Sequence, residues 1–229
     1  MTQTHDLDQA GSGFVRLDGH MADDLSVVNS ARVSFAKRST TMGDAEVGLV
    51  NFLMRERHGT PFEHNSFRFH VSCPLFVARE WFRHRVGSFN EFSARYAEVG
   101  DRFFAPAPQQ IRRQEGKPGA YKFVPLEPEL AGEASGLISD HNEQAYALYK
   151  HLLWLGVAKE LARTVLPVGM FTEFYWTVNA RSLMNFLSLR TAETAQQEIR
   201  QYALLVEAVF AEMMPVTHKA WRDNGSICP

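Results

Sequence analysis

Short stretches in which apolar and polar residues alternate predict β-strands along the chain. The clearest is residues 66–73, SFRFHVSC, where F, F and V alternate with R, H and S. Because successive side chains of a strand point to opposite faces, this stretch is expected to bury one face. Residues 14–21, 91–98 and 169–178 are also rich in residues that favour strands, and we predict strands there.

Other stretches carry apolar residues at helical spacing and predict α-helices. In residues 43–58, Val47, Val50, Leu53 and Met54 recur three or four positions apart, with charged residues elsewhere. Further helices are predicted over residues 75–85, 128–155, 158–166, 179–189 and 193–213.

These elements predict one α+β domain, with an antiparallel sheet flanked by helices. The strands are separated by one or several helices, without the regular alternation that is typical of parallel α/β proteins. A chain of 229 residues is long enough for one well-packed domain and short for two. Residues 100–128 carry five of the ten prolines, so we expect an irregular surface excursion there rather than a linker between domains.

Charge and composition limit the classes of ligand that the protein is expected to bind. The net charge of −2 argues against a protein that binds nucleic acid or membranes through its overall charge. Arginine supplies 18 of the 24 basic residues, and its planar guanidinium suits phosphates and carboxylates. This bias indicates anionic ligands, but a GC-rich genome explains it equally well.

Cysteine content and hydropathy indicate the cellular compartment in which the protein is expected. Only Cys73 and Cys228 occur, which excludes a disulfide framework or a cysteine-based metal site. No apolar run approaches the ~20 residues of a membrane helix. Residues 1–13 are polar and unlike a signal peptide. We therefore expect a cytoplasmic protein with no membrane partner.

The densest group of polar side chains lies in residues 83–96, RHRVGSFNEFSARY. Its RHR triplet falls near the end of a predicted helix, where the helix dipole favours positive charge. In the strand predicted after it, Glu91, Ser93 and Arg95 share one face within roughly 14 Å. An acid, a hydroxyl and a guanidinium on one face suit a nucleotide, with Ser93 and Arg95 toward its phosphate. The alternative is a surface strand with an ion pair.

A second polar group lies on the helix predicted at 179–189. Arg181 and Asn185 are four residues apart and share a face, whereas Asn179 and Arg190 are eleven apart and share another. Polar groups on two sides suggest burial from two directions, as at a subunit interface. The alternative is an ordinary capped helix with solvated arginines.

Residues 58–64, HGTPFEH, form a third segment with a chemical pattern. With His70 they place histidines six residues apart, but zinc ligands usually lie closer together, so no metal site is predicted. We instead expect a turn held by proline, with Thr60 and Glu63 directed at a ligand. The chain contains no G-x-G-x-x-G or Walker loop, which predicts that a bound dinucleotide is held by a non-Rossmann fold.

Together the three segments resemble the flavin-dependent thymidylate synthase family. The family signature of R-H-R, seven residues and then S runs from Arg83 to Ser93. Residues 90–96, NEFSARY, 58–64, HGTPFEH, and 176–186, WTVNARSLMNF, match as well. The resemblance covers about half of the chain or more. It implies a homotetramer in which each active site is shared between subunits.

The resemblance implies an enzyme that methylates dUMP to dTMP with FAD, 5,10-methylenetetrahydrofolate and NADPH. Positions that hold FAD, partly from neighbouring subunits, are matched by Thr60, Arg83, His84, Arg85, Glu91, Asn179, Arg181 and Asn185. Positions that bind dUMP are matched by Glu80, Arg83, Glu91, Ser93, Ala94, Arg95, Arg163 and Arg190.

Two of the substrate positions depart from the family pattern. Glu80 stands where the family usually has Gln, which places a carboxylate near an anionic nucleotide if the contact is kept. Ala94 stands where Gly is common, but its backbone N–H remains available to a phosphate.

The resemblance also implies a mechanism without a cysteine nucleophile, in which reduced flavin supplies a hydride. Arg190 is then the catalytic candidate, because a guanidinium beside uracil N3 and O2 stabilises the ionised ring as C5 becomes nucleophilic. Ser93 lacks an evident base partner for a nucleophilic role. His84 is expected at the flavin rather than as a general base.

Two hypotheses from other functional classes remain. A non-catalytic nucleotide-binding or RNA-binding protein explains the arginine clusters but not the acidic balance. A purely structural homo-oligomer is the second. Bound flavin in the purified protein discriminates against both.

Overall fold

The computed structural model describes residues 3–7 and 13–229, so most of the polar segment 1–13 lies outside the described residues. Seven strands are found among the described residues: β1 Gln3–Leu7, β2 Gly13–Met21, β3 Ser66–Pro74, β4 Ser88–Glu91, β5 Arg112–Glu115, β6 Lys122–Pro125 and β7 Phe171–Asn179. The α-helices there are α1 Asp24–Arg32, α2 Asp44–Arg55, α3 Leu75–Trp81, α4 Pro128–Trp154, α5 Lys159–Ala162, α6 Ala180–Arg190, α7 Gln197–Met213 and α8 Pro215–Asp223. None of the helices in this part of the chain is long and apolar enough to cross a membrane.

The chain forms two compact units. The first, here called the sheet unit, comprises the described residues up to Cys73 together with Val77–Glu91 and Thr172–Pro229. The second, the helical unit, comprises Pro74–Phe76 and Phe92–Phe171. Each unit draws on separate parts of the sequence, and the single domain expected from chain length stays a prediction.

The sheet unit is built on a five-stranded sheet in the order β1-β2-β3-β7-β4. The pairs β1–β2, β2–β3 and β4–β7 are antiparallel. The strands predicted at 14–21, 66–73 and 169–178 are therefore confirmed, and so is the antiparallel sheet with helices. Phe67, Phe69 and Val71 are fully buried, as the alternating pattern predicted.

An aromatic core fixes α3 and α6 against the sheet. Trp81 at the end of α3 stacks on Phe186 of α6, with ring centroids 4.8 Å apart. Trp176 of β7 lies 5.4 Å from Trp81 and 5.0 Å from Phe186. All three rings are fully buried, and packed aromatic pairs of this kind have restricted geometry. The core therefore holds the end of α3 beside α6.

The helical unit has its own core. Tyr149 of α4 is fully buried among Val99, Ala162 and Met170, and its hydroxyl accepts the backbone N–H of Val99 at 3.1 Å. The helices predicted at 128–155 and 158–166 are confirmed here as α4, α5 and a following 3-10 turn.

Three sequence predictions about local structure are wrong. The strand predicted at 91–98 ends at Glu91, because the carbonyl of Ser93 accepts the N–H groups of Tyr96 and Ala97 and closes a turn. Glu91, Ser93 and Arg95 therefore do not share a strand face. The helix predicted at 75–85 ends at Trp81, which leaves the RHR triplet in the turn after it.

The third error concerns residues 100–128. This segment is not wholly irregular, because β5 and β6 pair as an antiparallel hairpin. Gly116 and Gly119 adopt positive φ angles of 101° and 84°, which glycine tolerates without steric cost and which allow the chain to reverse between the strands.

Helix α8 has no counterpart among the sequence predictions. Its N-terminus is capped from a distance by the buried Asp24, which accepts the backbone N–H groups of Val216 and Thr217 at 2.9 and 2.8 Å. A carboxylate suits the positive end of a helix dipole. This cap joins α1 to α8 within the sheet unit.

Candidate active site

The sheet unit contains a cavity of about 620 Å³ that we call the arginine cavity. Helix α6 and the RHR turn supply most of its walls. Of the described residues that line it, four are arginines and one is a glutamate, so its field is positive. The lining residues are Glu63, Arg83, His84, Arg85, Val86, Asn179, Arg181, Ser182, Asn185, Leu189, Arg190 and Cys228.

The cavity joins residues that the sequence predicted as two separate groups. The RHR triplet and the polar residues of α6 lie along the same walls. Arg181 and Asn185 share a helix face, as predicted, and Asn179 and Arg190 at the ends of α6 border the same cavity. Nine residues separate Arg181 from Arg190, which is two and a half helical turns, so these two side chains leave opposite sides of the helix, as the spacing predicted. The side chain of Asn179 caps α6 by accepting the N–H of Ser182 at 2.8 Å.

Arg190 is held by groups on α3 and the turn after it. Its Nε donates to Nε2 of His84 at 3.0 Å, and its Nη1 lies 3.2 Å from Oε2 of Glu80. Its Nη2 donates to the backbone oxygen of Glu80 at 3.4 Å. The guanidinium is thus oriented at one end of the cavity.

His84 beside it is neutral at physiological pH. Partial burial and, to a smaller extent, the positive charge of Arg190 together lower the pKa of its imidazole to about 4. Because Nε2 accepts a hydrogen bond from Arg190, the proton of the neutral ring resides on Nδ1. The expectation that His84 serves the flavin rather than acting as a general base stays a prediction.

Arg181 occupies the other end of α6. Its Nη1 pairs with Oε1 of Glu63 at 2.5 Å, and its Nε donates to the backbone oxygen of Pro229 at 2.9 Å. A Cβ atom added at Gly59 would collide with the Arg181 guanidinium. Gly59 therefore makes room for this side chain, and the turn that carries Thr60 lies against α6.

Thr60 lines a second cavity, of about 1200 Å³, which Arg181 also borders. Its walls carry the cationic side chains Arg32, Lys37 and Arg57. Thr60 and Arg181, both predicted to hold a flavin, are thus close together within one chain.

Glu80 and Glu91 do not line the arginine cavity. Glu80 contacts Arg190, as described above. Glu91, at the end of β4, accepts through Oε1 a hydrogen bond from the Thr172 hydroxyl, with 2.8 Å between the two oxygens. Its charge and burial together raise the pKa of the Cys73 thiol, burial being the larger cause.

The remaining predicted substrate residues lie in the helical unit. Arg95 pairs through Nε with Oε2 of Glu160 at 3.1 Å, and Arg163 donates to the backbone oxygen of the same glutamate at 3.4 Å. The structure thus brings Arg95 and Arg163 together around Glu160. Ser93 accepts a long hydrogen bond of 3.4 Å from the Arg95 backbone N–H, and Ala94 is buried.

Sequence reasoning missed Ser182, Cys228 and Glu160. Ser182 lies three residues before Asn185, so helical spacing was a usable signal. Cys228 donates from Sγ to the backbone oxygen of Arg181 at 3.2 Å, across 47 positions of sequence. No local sequence pattern predicts a contact between residues so far apart in the chain.

Within the described residues no group of three His, Cys, Asp or Glu side chains is arranged to hold a metal ion. Cys73 is fully buried. Burial also raises the pKa of the half-buried Cys228 thiol, against the opposing effect of Arg181.

Comparison with known proteins decides the family. Residues 16–216 match the model of the family described as thymidylate synthase complementing protein. A flavin-dependent thymidylate synthase of Thermosipho africanus is 49% identical over 209 residues, which cover 91% of this chain and 90% of that protein. The chain belongs to the flavin-dependent thymidylate synthase family. The resemblance seen in the sequence motifs is confirmed.

Other members agree in sequence and in fold. The flavin-dependent thymidylate synthase of Streptomyces coelicolor is 44% identical, with 89% of this chain and 91% of that protein covered. The crystal structure of the UMP/dUMP methylase PolB from Streptomyces cacaoi, bound with 5-Br dUMP, superposes with a TM-score of 0.88 at 43% identity. It covers 95% of this chain and 98% of that one.

Proposed function

We propose that this protein catalyses the reductive methylation of dUMP to dTMP. FAD is the cofactor, 5,10-methylenetetrahydrofolate the one-carbon donor and NADPH the reductant. Relatives named flavin-dependent thymidylate synthase and a neighbour that is a UMP/dUMP methylase support this assignment. No cysteine nucleophile takes part.

The observation that carries the proposal is the positive field of the arginine cavity. Its volume of about 620 Å³ falls in the range of small-molecule sites, roughly 300–1,000 Å³. It follows α6 from Asn179 to Arg190, roughly 16 Å at the helical rise of 1.5 Å per residue. An elongated anionic ligand fits this shape and charge.

The residues present suit a flavin dinucleotide. Arg83 and Arg85 in the RHR turn and Arg181 on α6 supply guanidinium groups for a diphosphate. The close approach of Arg181 to Gly59 brings the Thr60 turn toward the same ligand. When bound, reduced flavin supplies the hydride and assists transfer of the methylene group.

Arg190 is the residue assigned to catalysis. Arg190 borders the cavity, and its guanidinium lies beside the neutral His84. Preorganised positive charge stabilises the negative charge that develops on the uracil ring when C5 becomes nucleophilic. His84 keeps Nδ1–H as a donor and adds no competing positive charge.

We propose that Ser93, Arg95 and Arg163 bind the phosphate of dUMP, as the family resemblance implies for active sites shared between subunits. Within the helical unit both arginines contact Glu160, Arg95 at the carboxylate and Arg163 at the backbone oxygen, and Ser93 lies beside Arg95. A bound phosphate replaces the Glu160 carboxylate as the anionic partner of Arg95, because a guanidinium donates to either group. The backbone N–H of Ala94 and the carboxylate of Glu91 complete the proposed substrate contacts.

The proposal includes a cytoplasmic homotetramer with active sites shared between subunits and no Rossmann unit. The family resemblance supports the assembly, and the antiparallel pairing of the sheet supports the last point. Thr60 and Arg181 border one cavity of a single chain, so this pair need not come from different subunits. Light scattering on the purified protein tests for the mass of a tetramer.

The decisive experiment is an assay of the purified protein. We expect flavin absorbance and formation of dTMP from dUMP only when methylenetetrahydrofolate and NADPH are both supplied. UMP is assayed in parallel, because the structural neighbour is named for both nucleotides. A flavin-free protein with no product would return the nucleotide-binding and structural alternatives to consideration.

A further inference from the structure

Glu80 is the acidic partner of Arg190, and it contacts the arginine from outside the cavity. Its side chain is 33% exposed and does not line the arginine cavity, whereas Arg190 does. Glu80 lies on α3 and Arg190 is the last residue of α6, 110 positions later. The aromatic core described above holds these two helix ends together.

The hydrogen bonds of Arg190 divide its donors into two sets. A guanidinium has five N–H groups in a rigid plane. Three of them point to the Glu80 carboxylate, the Glu80 backbone oxygen and His84 Nε2. Because the guanidinium is rigid, the three hydrogen bonds that fix these N–H groups also fix the direction of the other two. Arg190 lines the cavity, so this orientation sets the donors that the cavity presents to a ligand.

We propose that Glu80 is a positioning residue that orients the Arg190 guanidinium for the methylation reaction. The inference rests on the proposed function. Glu80 acts through Arg190 rather than by touching the nucleotide, which revises the expectation from sequence that it binds dUMP. Its carboxylate oxygen accepts a hydrogen bond and also compensates part of the guanidinium charge.

The two effects of the carboxylate are separable by substitution. In Glu80→Gln an amide oxygen can still accept from Nη1, but the negative charge is removed. In Glu80→Ala both the acceptor and the charge are removed. Positioning therefore predicts that kcat falls in the Ala variant, by about 10-fold to 100-fold for a misplaced catalytic group. In the Gln variant kcat stays nearer to that of the natural protein.

The substrate affinity changes in a different way. Glu80→Gln removes a negative charge close to a site for an anionic nucleotide, so KM and the dissociation constant for dUMP should fall. The matched control is Asp18→Asn, which neutralises the carboxylate paired with Arg68 at 2.6 Å on the sheet, away from the residues that line the cavity. It should change neither constant.

An activity-independent measurement follows the His84 imidazole by NMR. If Glu80 positions Arg190, its removal in Glu80→Ala frees the guanidinium from His84, and the pKa of His84 rises above about 4. The rise is partial, because burial, the larger cause of the lowered pKa, remains. If only charge matters, the Arg190 charge is less compensated in the Ala variant and the pKa of His84 falls or stays. Glu80→Gln should leave the pKa near that of the natural protein.

The outcomes separate this inference from the assignment of function. A natural protein that makes no dTMP contradicts the proposed function, while the His84 titration still decides the positioning role. A Glu80→Ala protein with normal kcat and an unchanged His84 pKa overturns the inference, as does an equal loss of kcat in Ala and Gln. If the Ala variant does not fold, Glu80→Asp replaces it, and positioning predicts reduced kcat with unchanged dUMP affinity.

Discussion

The Nε of Arg190 lies 3.0 Å from Nε2 of His84, although the two residues are 106 positions apart. A guanidinium only donates, so the imidazole nitrogen that accepts must be unprotonated. The contact therefore joins a permanent cation to a histidine that stays neutral, with its pKa lowered to about 4. This relationship makes the stability of the protein depend on pH.

The first prediction is a loss of stability in acid that originates at His84. Between about pH 6.5 and pH 4 the unfolded chain binds a proton at His84 that the native protein does not, so the unfolding free energy falls as pH falls. Denaturant unfolding of the natural protein and of His84→Gln across this window measures the effect. The natural protein should lose more stability than the variant. Parallel pH curves would contradict the assignment.

The second prediction concerns Arg190. Replacement by Ala should lower dTMP formation by about 10²–10³ through loss of electrostatic stabilisation. The flavin content should stay unchanged, as measured by absorbance. Arg190→Lys should recover little, because an ammonium lacks the planar fork that donates to both His84 and Glu80. Near-normal turnover in Arg190→Ala would remove it from catalysis.

The third prediction uses the contact between Gly59 and Arg181. Gly59→Ala should displace the Arg181 guanidinium, since the new Cβ would overlap it, and bound flavin should decrease. The control is Gly48→Ala in α2. Apart from the backbone of the helix itself, nothing lies within 4 Å of the Cβ that this substitution adds, and Ala should stabilise the helix by roughly 0.5–1 kcal/mol. The flavin-to-protein absorbance ratio compares the two. Equal flavin content would show that Arg181 does not hold the cofactor.

The fourth prediction concerns the thiols. Burial raises the pKa of both Cys73 and Cys228, so both remain protonated at neutral pH and are poor nucleophiles. The double variant Cys73→Ala, Cys228→Ala should keep most dUMP-methylating activity, although Cys228 borders the arginine cavity. Circular dichroism serves as the folding control. A folded but inactive double variant would restore a cysteine mechanism.

The fifth prediction concerns the cap on α8. Asp24→Ala should lower the unfolding free energy by about 1.5–3 kcal/mol, because a buried charged acceptor for Val216 and Thr217 is lost. The control Asp223→Asn removes the exposed pair with Lys219 and should cost about 0–1 kcal/mol. Urea denaturation measures both. Similar small effects would mean that the cap adds little.

Much of the fold was predictable where the pattern is local. Alternation identified β3, and helical spacing identified α2 and the pair Arg181 and Asn185. The strand expected at 91–98 failed because local propensity cannot see that the Ser93 carbonyl closes a turn. Helix α8 was missed because its cap, Asp24, comes from the other end of the chain.

The sequence by itself determined the family, the candidate residues and the periodicity of most elements, because motifs and alternation involve residues that are close together in the sequence. Only the tertiary structure decided which of those residues meet. It joined the RHR turn and α6 into one cavity, placed Glu80 against Arg190 instead of in the lining, and brought Cys228 to Arg181. These contacts follow from burial of the Trp81, Trp176 and Phe186 rings, which draws together segments about a hundred residues apart.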